Sequence, residues 1–215
     1  MNTIAVIDYG MGNLRSVAKA LEFVAPEARV VVTSDARQIE AAERVLFPGV
    51  GALRDCMAEL ARLELIEPLR RAAAAKPFMG ICLGMQALLD HSEENGGTEG
   101  LGIVPGRVKR FDISHLDSVT GERLKIPHMG WNEVHQEADH PMWRDIGQDS
   151  RFYFVHSYYV EPQRAADRAG TTHYGVDFAS AIAVGNIFAA QFHPEKSQQA
   201  GLTLLRNFVA WNGET

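Results

Sequence analysis

Two cysteines occur in this 215-residue chain, and one of them stands where a thiol could react. Cys82 sits in Gly80-Ile81-Cys82-Leu83-Gly84. The apolar run Phe78–Ile81 before it predicts a strand, and the pattern through Met85, Leu88 and Leu89 after it predicts a helix. A strand-to-helix turn flanked by glycines lifts one side chain clear of a sheet, the arrangement of a nucleophile elbow with Cys in place of Ser. The unpaired N–H groups and dipole of the helix start favour a thiolate there. The same five residues also fit a buried Cys at a strand end, so the motif needs partners to mean chemistry. Cys56, in a helical stretch beside Met57 and Leu60, reads as an inert core thiol.

A thiol nucleophile needs a base, and the base needs an orienting group. Of the eight histidines, His193 alone is followed two residues later by a carboxylate in a segment constrained to be extended, His193-Pro194-Glu195. Pro194 fixes its own φ and biases its predecessor towards β geometry. Side chains at i and i+2 of such a segment point the same way, so Glu195 could hold the imidazole in one tautomer. Apart from the cysteine motif, His193 would simply end a strand and Glu195 cap a final helix. Acyl transfer also needs donors aimed at a developing oxyanion. The Leu83 N–H, directly after the thiol, is one by position. The side-chain-poor loop Pro48-Gly49-Val50-Gly51 could bring its backbone close enough to supply another, or could be an ordinary strand-to-helix turn.

Positioning these residues calls for an open sheet. Strand-like runs at Thr3–Ile7, Ala28–Thr33, Arg44–Phe47 and Phe78–Ile81 alternate with helical patterns. The helices fall on Leu14, Val17, Ala18 and Leu21, on a short segment capped by Ser34 or Asp35, and on one continuous stretch over Leu53–Ala75. That order predicts an α/β fold, a parallel sheet with helices on both faces. The second half differs. Asn95-Gly96-Gly97 and Gly100–Gly106 read as loops, and Val108–Phe111, Phe152–Val155 and Thr171–Phe178 as strands. Ile182–Val184 and Ile187–Phe192 flank Gly185-Asn186, a hairpin signal. A closing helix carries Leu202, Leu205, Arg206 and Val209. Antiparallel strands are therefore expected to extend a mostly parallel sheet. Ligands of such sheets bind beyond the carboxyl ends of the strands, where Asp8–Asn13, Pro48–Gly51 and Gly80–Gly84 would lie.

Composition sets the outer bounds. With 46% apolar and 22% charged residues, a chain of this length buries roughly 70% of its unfolded surface, enough for one domain over residues 1–215. Lys and Arg number 21 against 27 Asp and Glu, a net charge of −6 with no basic stripe, which argues against nucleic acid as a partner. No apolar run approaches the roughly 18 residues of a membrane span, no signal segment opens the chain, and two cysteines make no disulfide framework. A cytoplasmic protein is expected. Gly10-Met11-Gly12 fails as a dinucleotide fingerprint because Arg15 stands where the third glycine belongs. His128, His135 and His140 lack metal-ligand spacing, so neither metal nor cofactor is expected. His156 reads as a satisfied core histidine, and Met79 and Met85 as packing.

Taken together, these motifs resemble the class I glutamine amidotransferases, in which Cys, His and Glu follow the order of Cys82, His193 and Glu195. Within that family the chain is similar to the glutaminase subunits of imidazole glycerol phosphate synthases, and the similarity spans nearly its whole length. It is carried by Asp8-Tyr9-Gly10-Met11-Gly12-Asn13, Pro48-Gly49-Val50-Gly51, Gly80–Gln86, Pro127-His128-Met129-Gly130-Trp131-Asn132 and His193-Pro194-Glu195-Lys196-Ser197. The resemblance implies a flavodoxin-like amidotransferase fold and hydrolysis of L-glutamine to glutamate and ammonia through a Cys82 thioester. It makes Cys82, His193 and Glu195 the catalytic residues and gives the oxyanion hole to the Val50 and Leu83 N–H groups. Glutamine would be held by Gly49, Gly51, Gln86, Ser157 and Tyr158. The implied partner is a (β/α)8 cyclase subunit of the HisF type, which would use the ammonia to make imidazole glycerol phosphate and AICAR in histidine biosynthesis. Asn13, Trp131, Asn132 and Lys196 would lie towards that barrel, and partner binding would complete the oxyanion hole by rearranging Pro48–Gly51. Three other readings stay open: a glutaminase serving another synthase, a Cys-dependent peptidase or thioesterase on the same fold, and a catalytically silent binding subunit.

Overall fold

The structure is a computed structural model and describes residues 2–112, 121 and 123–214. Short apolar runs build its parallel half: β1 (Thr3–Ile7), β2 (Arg29–Thr33), β3 (Arg44–Gly49) and β4 (Phe78–Cys82). They are joined by α1 (Leu14–Val24), α2 (Ala36–Ala41), α3 (Leu53–Arg62) and α4 (Ile66–Ala75), and α5 (Leu83–Ala87) leaves β4 directly. Then follow β5 (His91–Ser92), β6 (Thr98–Glu99), β7 (Gly106–Arg110), β8 (His128–Glu133), β9 (His135–Gln136), β10 (Arg151–His156) and β11 (Tyr158–Pro162). The last elements are β12 (Arg168–His173), β13 (Asp177–Val184), β14 (Ile187–Ala190) and α6 (Gln198–Ala210).

The main sheet runs β2-β1-β3-β4-β14-β13-β11-β7-β5-β6, with β12 and β9 attached beside β13, while β8 and β10 form a separate antiparallel pair. From β2 to β14 all neighbours are parallel, and β13, β11 and β7 join antiparallel. This is the flavodoxin-like order with antiparallel additions in the C-terminal half. Alternation along the strands makes two cores. Ala5, Ile7, Val45, Phe47, Phe78 and Ala189 face α3 and α4, whereas Ile4, Val6, Leu46, Met79 and Phe188 face α1 and α6. Both faces of these strands are therefore buried, as a parallel sheet requires.

Many of the expected elements form. Asp35 caps α2, its carboxylate accepting from the Arg37 N–H at 2.8 Å. Gly185-Asn186 closes the β13–β14 hairpin with Val184 opposite Ile187. Three elements differ. The single helix over 53–75 is two, because Pro68 would clash with the Glu64 carbonyl inside a continuous helix. The chain breaks at Glu64, whose φ is +57°, and restarts with Pro68 in the first turn of α4. The helix after Cys82 stops at Ala87, because the Leu88 and Leu89 carbonyls accept from the N–H groups of Gly102, Ile103 and Val104. The run Thr171–Phe178 is a hairpin. Gly175, at φ +69°, reverses the chain between β12 and β13 inside an apolar stretch that reads as one strand.

Candidate active site

The sheet brings the ends of β3, β4 and β14 side by side, with Gly49 opposite Cys82 and Ala190 opposite Ile81. Continuing that parallel register sets Gln191 next to Cys82 and His193 just beyond. Cys82 has φ 54° and ψ −110°, a conformation that L-residues rarely adopt and that turns the chain from β4 into α5 without a linker. The flanking glycines permit it. A Cβ on Gly84 would overlap the Phe47 carbonyl, and one on Gly80 would lie 3.0 Å from the Gly84 carbonyl oxygen. The Cys82 sulfur is nearly buried, with the Gln191 Nε2 at 3.6 Å and the Val155 carbonyl oxygen at 4.0 Å.

His193 and Glu195 do meet, but not along an extended segment: only His193 is extended, and Pro194–Lys196 form a 3-10 turn closed by the Lys196 N–H donating to the His193 carbonyl at 3.0 Å. His193 Nδ1 lies 2.9 Å from Glu195 Oε1, with both side chains withdrawn from solvent. The backbone around them is pinned: the His193 N–H donates to the Tyr153 carbonyl at 2.9 Å, and the Ser197 hydroxyl donates to the His193 carbonyl at 2.6 Å. Burial alone pulls the His193 pKa down, but the neighbouring Cys82 and the Glu195 carboxylate more than offset it and raise it to about 10. At neutral pH the site therefore holds an imidazolium beside the cysteine.

A cavity of about 370 Å³ opens over this constellation, lined by Val50, Gly51, Cys82, Leu83, Gln86 and His193. Ser157 and Tyr158 also line it, together with Glu94, Pro127, Val155 and His156, which no sequence motif placed there. Leu83 opens α5, where first-turn N–H groups have no acceptor within the helix. Gly51 has φ +93°, so the loop that carries Val50 turns through a glycine conformation. Gly49 does not line the cavity. It packs under the elbow, where a Cβ would overlap the Tyr9 hydroxyl and come within 2.9 Å of Leu83.

Gln86 projects into the same region with its amide nitrogen already committed, donating to the Tyr158 carbonyl at 3.1 Å and to Gln191 Oε1 at 3.0 Å. His156 Nδ1 donates to that carbonyl at 2.7 Å, its Nε2 accepts from His128 Nδ1 at 2.9 Å, and His128 Nε2 accepts from Asn132 Nδ2 at 3.2 Å. His156 is thus the satisfied core histidine that its aromatic strand suggests. Burial lowers the pKa of His128 to about 4 and of His156 to about 3, so both rings stay neutral. Among the described residues, no group of three or more His, Cys, Asp or Glu side chains could hold a metal ion.

The residues assigned to a partner face lie in several settings. Trp131 is exposed and packs edge-on against Tyr153, and the Lys196 ammonium lies 5.8 Å from the centroid of the same ring, so these three share one surface. Asn132 instead turns its amide nitrogen inward, to His128 and to the His173 carbonyl. Asn13 precedes α1 at its N-terminus. Cys56 is fully buried, and burial raises its thiol pKa to about 12, as an inert core thiol requires.

Comparison with known proteins places the chain in a family. The profile of the family described as glutamine amidotransferase class-I matches residues 5–211. Imidazole glycerol phosphate synthase subunit HisH of Nitrosospira multiformis is 62% identical over 211 residues, covering 98% of this chain and 99% of that protein. The HisH subunit of Pseudomonas putida is 58% identical over 213 residues, covering 99% of each. Among solved structures, PurLQS from Thermotoga maritima matches with a TM-score of 0.72 at 19% identity over 97% of both chains. The glutaminase domain of Trypanosoma brucei CTPS, with bound acivicin, matches at 0.65 and 17% identity, covering 99% of this chain and 95% of that one. At such identities the structural matches speak for the fold, whereas the sequence matches settle the family: the chain belongs to the class-I glutamine amidotransferases and closely resembles their HisH members.

Proposed function

We propose that the chain hydrolyses L-glutamine to glutamate and ammonia and delivers the ammonia to a (β/α)8 cyclase subunit of the HisF type for histidine biosynthesis. The observation that carries this reading is the Cys82 elbow beside a buried His193–Glu195 pair, with Cys82 and His193 lining one cavity. The Cys82 thiolate attacks the side-chain amide carbon of glutamine, and the Leu83 and Val50 N–H groups receive the oxyanion. The imidazolium of His193 gives its proton to the amide nitrogen as the C–N bond breaks, releasing ammonia and leaving a Cys82 thioester. The now neutral His193 takes a proton from water. The resulting hydroxide attacks the thioester, and glutamate leaves as the thiolate and imidazolium are restored. Glu195 holds the ring throughout, stabilising its charged form.

Gly51, Ser157 and Tyr158 surround the substrate, with Gln86 offering it Oε1 because its nitrogen is engaged elsewhere; Gly49 shapes the elbow from below. Free ammonia protonates in water and loses its nucleophilicity, which favours a sealed transfer into a partner over release. Trp131 and Lys196 suit a docking face, and the similarity to subunits of imidazole glycerol phosphate synthases supports a second subunit. The two free thiols suit the reducing cytoplasm.

Labelling tests the chemistry directly. An electrophilic glutamine analogue should modify Cys82, located by peptide mass spectrometry, while peptide-based electrophiles should not. Modification by the peptide reagents alone would instead support a peptidase on this fold.

A further inference from the structure

Gln191 lies at the carboxyl end of β14, fully buried, and does not line the cavity. A primary amide in such a place is costly unless its donors and acceptor are used. The Tyr158 carbonyl fixes how they are used. A carbonyl oxygen only accepts, so the Gln86 atom 3.1 Å from it is nitrogen. The Gln191 atom 3.0 Å from that nitrogen must then be oxygen, which leaves Gln191 Nε2 turned to the Cys82 sulfur at 3.6 Å. The same carbonyl is held from its other side by His156 Nδ1, and His156 by His128, so its orientation is set by packed neutral rings. Each amide in the chain thus has one permitted orientation, and the last donor in it ends on sulfur.

We infer that Gln191 is a positioning residue for the nucleophile, holding the Cys82 sulfur by an N–H donor that is itself aimed through Gln86 by the Tyr158 carbonyl. A thiolate accepts such a bond far better than a thiol does, so the contact strengthens as the sulfur becomes nucleophilic. The Val155 carbonyl at 4.0 Å can only accept from a protonated sulfur, so the two neighbours act in opposite senses. Gln191 touches neither substrate nor leaving group in this arrangement. The inference rests on the proposed role of Cys82 as nucleophile.

The test is the rate of Cys82 alkylation by iodoacetamide in the whole chain, read by peptide mapping, for wild type, Gln191→Leu and Gln191→Glu. Iodoacetamide needs no glutamine site, so failure of the substrate assignment would show with the glutamine analogue and leave this comparison intact. Leu fills the space without a donor, and Glu keeps an acceptor for Gln86 but turns a carboxylate towards sulfur. Both should slow alkylation by about fivefold or more, the scale of a hydrogen bond to a charged group. In glutamate release, kcat should fall while KM for glutamine stays within about twofold, because the cavity lining is unchanged. Gln191→Met provides a second apolar replacement should Leu fail to fold. Alkylation slowed by less than about fivefold in a folded Leu or Met variant, or a loss confined to KM, would overturn the assignment.

Discussion

Cys82, His193 and Glu195 each depend on a backbone constraint written beside them. Gly80 and Gly84 admit the elbow, and Pro194 opens the 3-10 turn over which Nδ1 of His193 reaches Glu195 at 2.9 Å. The raised pKa of His193 ties this pair to stability. The folded chain keeps a proton that the unfolded chain releases between about pH 6.5 and 10, so this contribution is complete below 6.5 and is lost as pH rises towards 10. Cys82 contributes more to the raised pKa than Glu195 does, so Glu195→Gln should reduce the alkaline fall of the urea midpoint without abolishing it, and lower kcat for glutamate release about a hundredfold or more. A variant with the wild-type alkaline slope would show that Glu195 does not hold the charge of His193. These three residues are legible in the sequence because they stand in short local motifs, although Pro194 opens a 3-10 turn and not the extended segment that its type suggests. Gln191 is not, because its neighbour is chosen by the pairing of β14 with β4, across more than a hundred residues of chain.

Elements formed where one signal dominated and departed where two competed. β1, α1, the β13–β14 hairpin and α6 follow directly from periodicity and turn residues. The apolar pattern over 53–75 continues through Pro68, but a missing N–H and a steric clash outrank periodicity, and α3 ends before α4 begins. Likewise the hydrophobic run Thr171–Phe178 hides the Gly175 turn. The β8–β10 pair has a consequence of its own, because its register sets His128 opposite His156 among the rings of Phe111, Phe154, Tyr174 and Phe178. Both imidazoles have depressed pKa values, so the unfolded chain takes up protons first as pH falls below 6.5, and stability falls with it. Between pH 7 and pH 5 the His128 share of this loss is about 2 kcal/mol. His128→Phe should be less stable than wild type at pH 7, because His156 loses a partner, yet lose less on acidification. Urea unfolding at the two pH values measures both, and an unchanged acid loss would contradict the neutral pair.

At the scale of the molecule, the accessible surface of 9948 Å² matches the roughly 9,800 Å² expected for a compact chain of this length. Among the described residues, no helix is long and apolar enough to cross a membrane. Among the described residues, the large apolar side chains left exposed are Phe23 on α1, Val32 on β2, Val50, Met129 and Trp131. Val50 edges the cavity, while Met129 and Trp131 stand on β8, the strand whose inward residue His128 begins the hydrogen-bond chain towards Cys82. A hydrogen-bond chain thus joins the strand that carries this outer face to the proposed nucleophile. The proposed partner is legible in the sequence only as family resemblance, because exposed apolar residues carry no statement of what covers them. The most direct measurement is glutamate release from glutamine by the purified chain, alone and with the barrel cyclase and its ribulosyl substrate, using Cys82→Ala as control. The account predicts strong stimulation by the cyclase that disappears in Cys82→Ala; glutamate release that persists without Cys82 would contradict it.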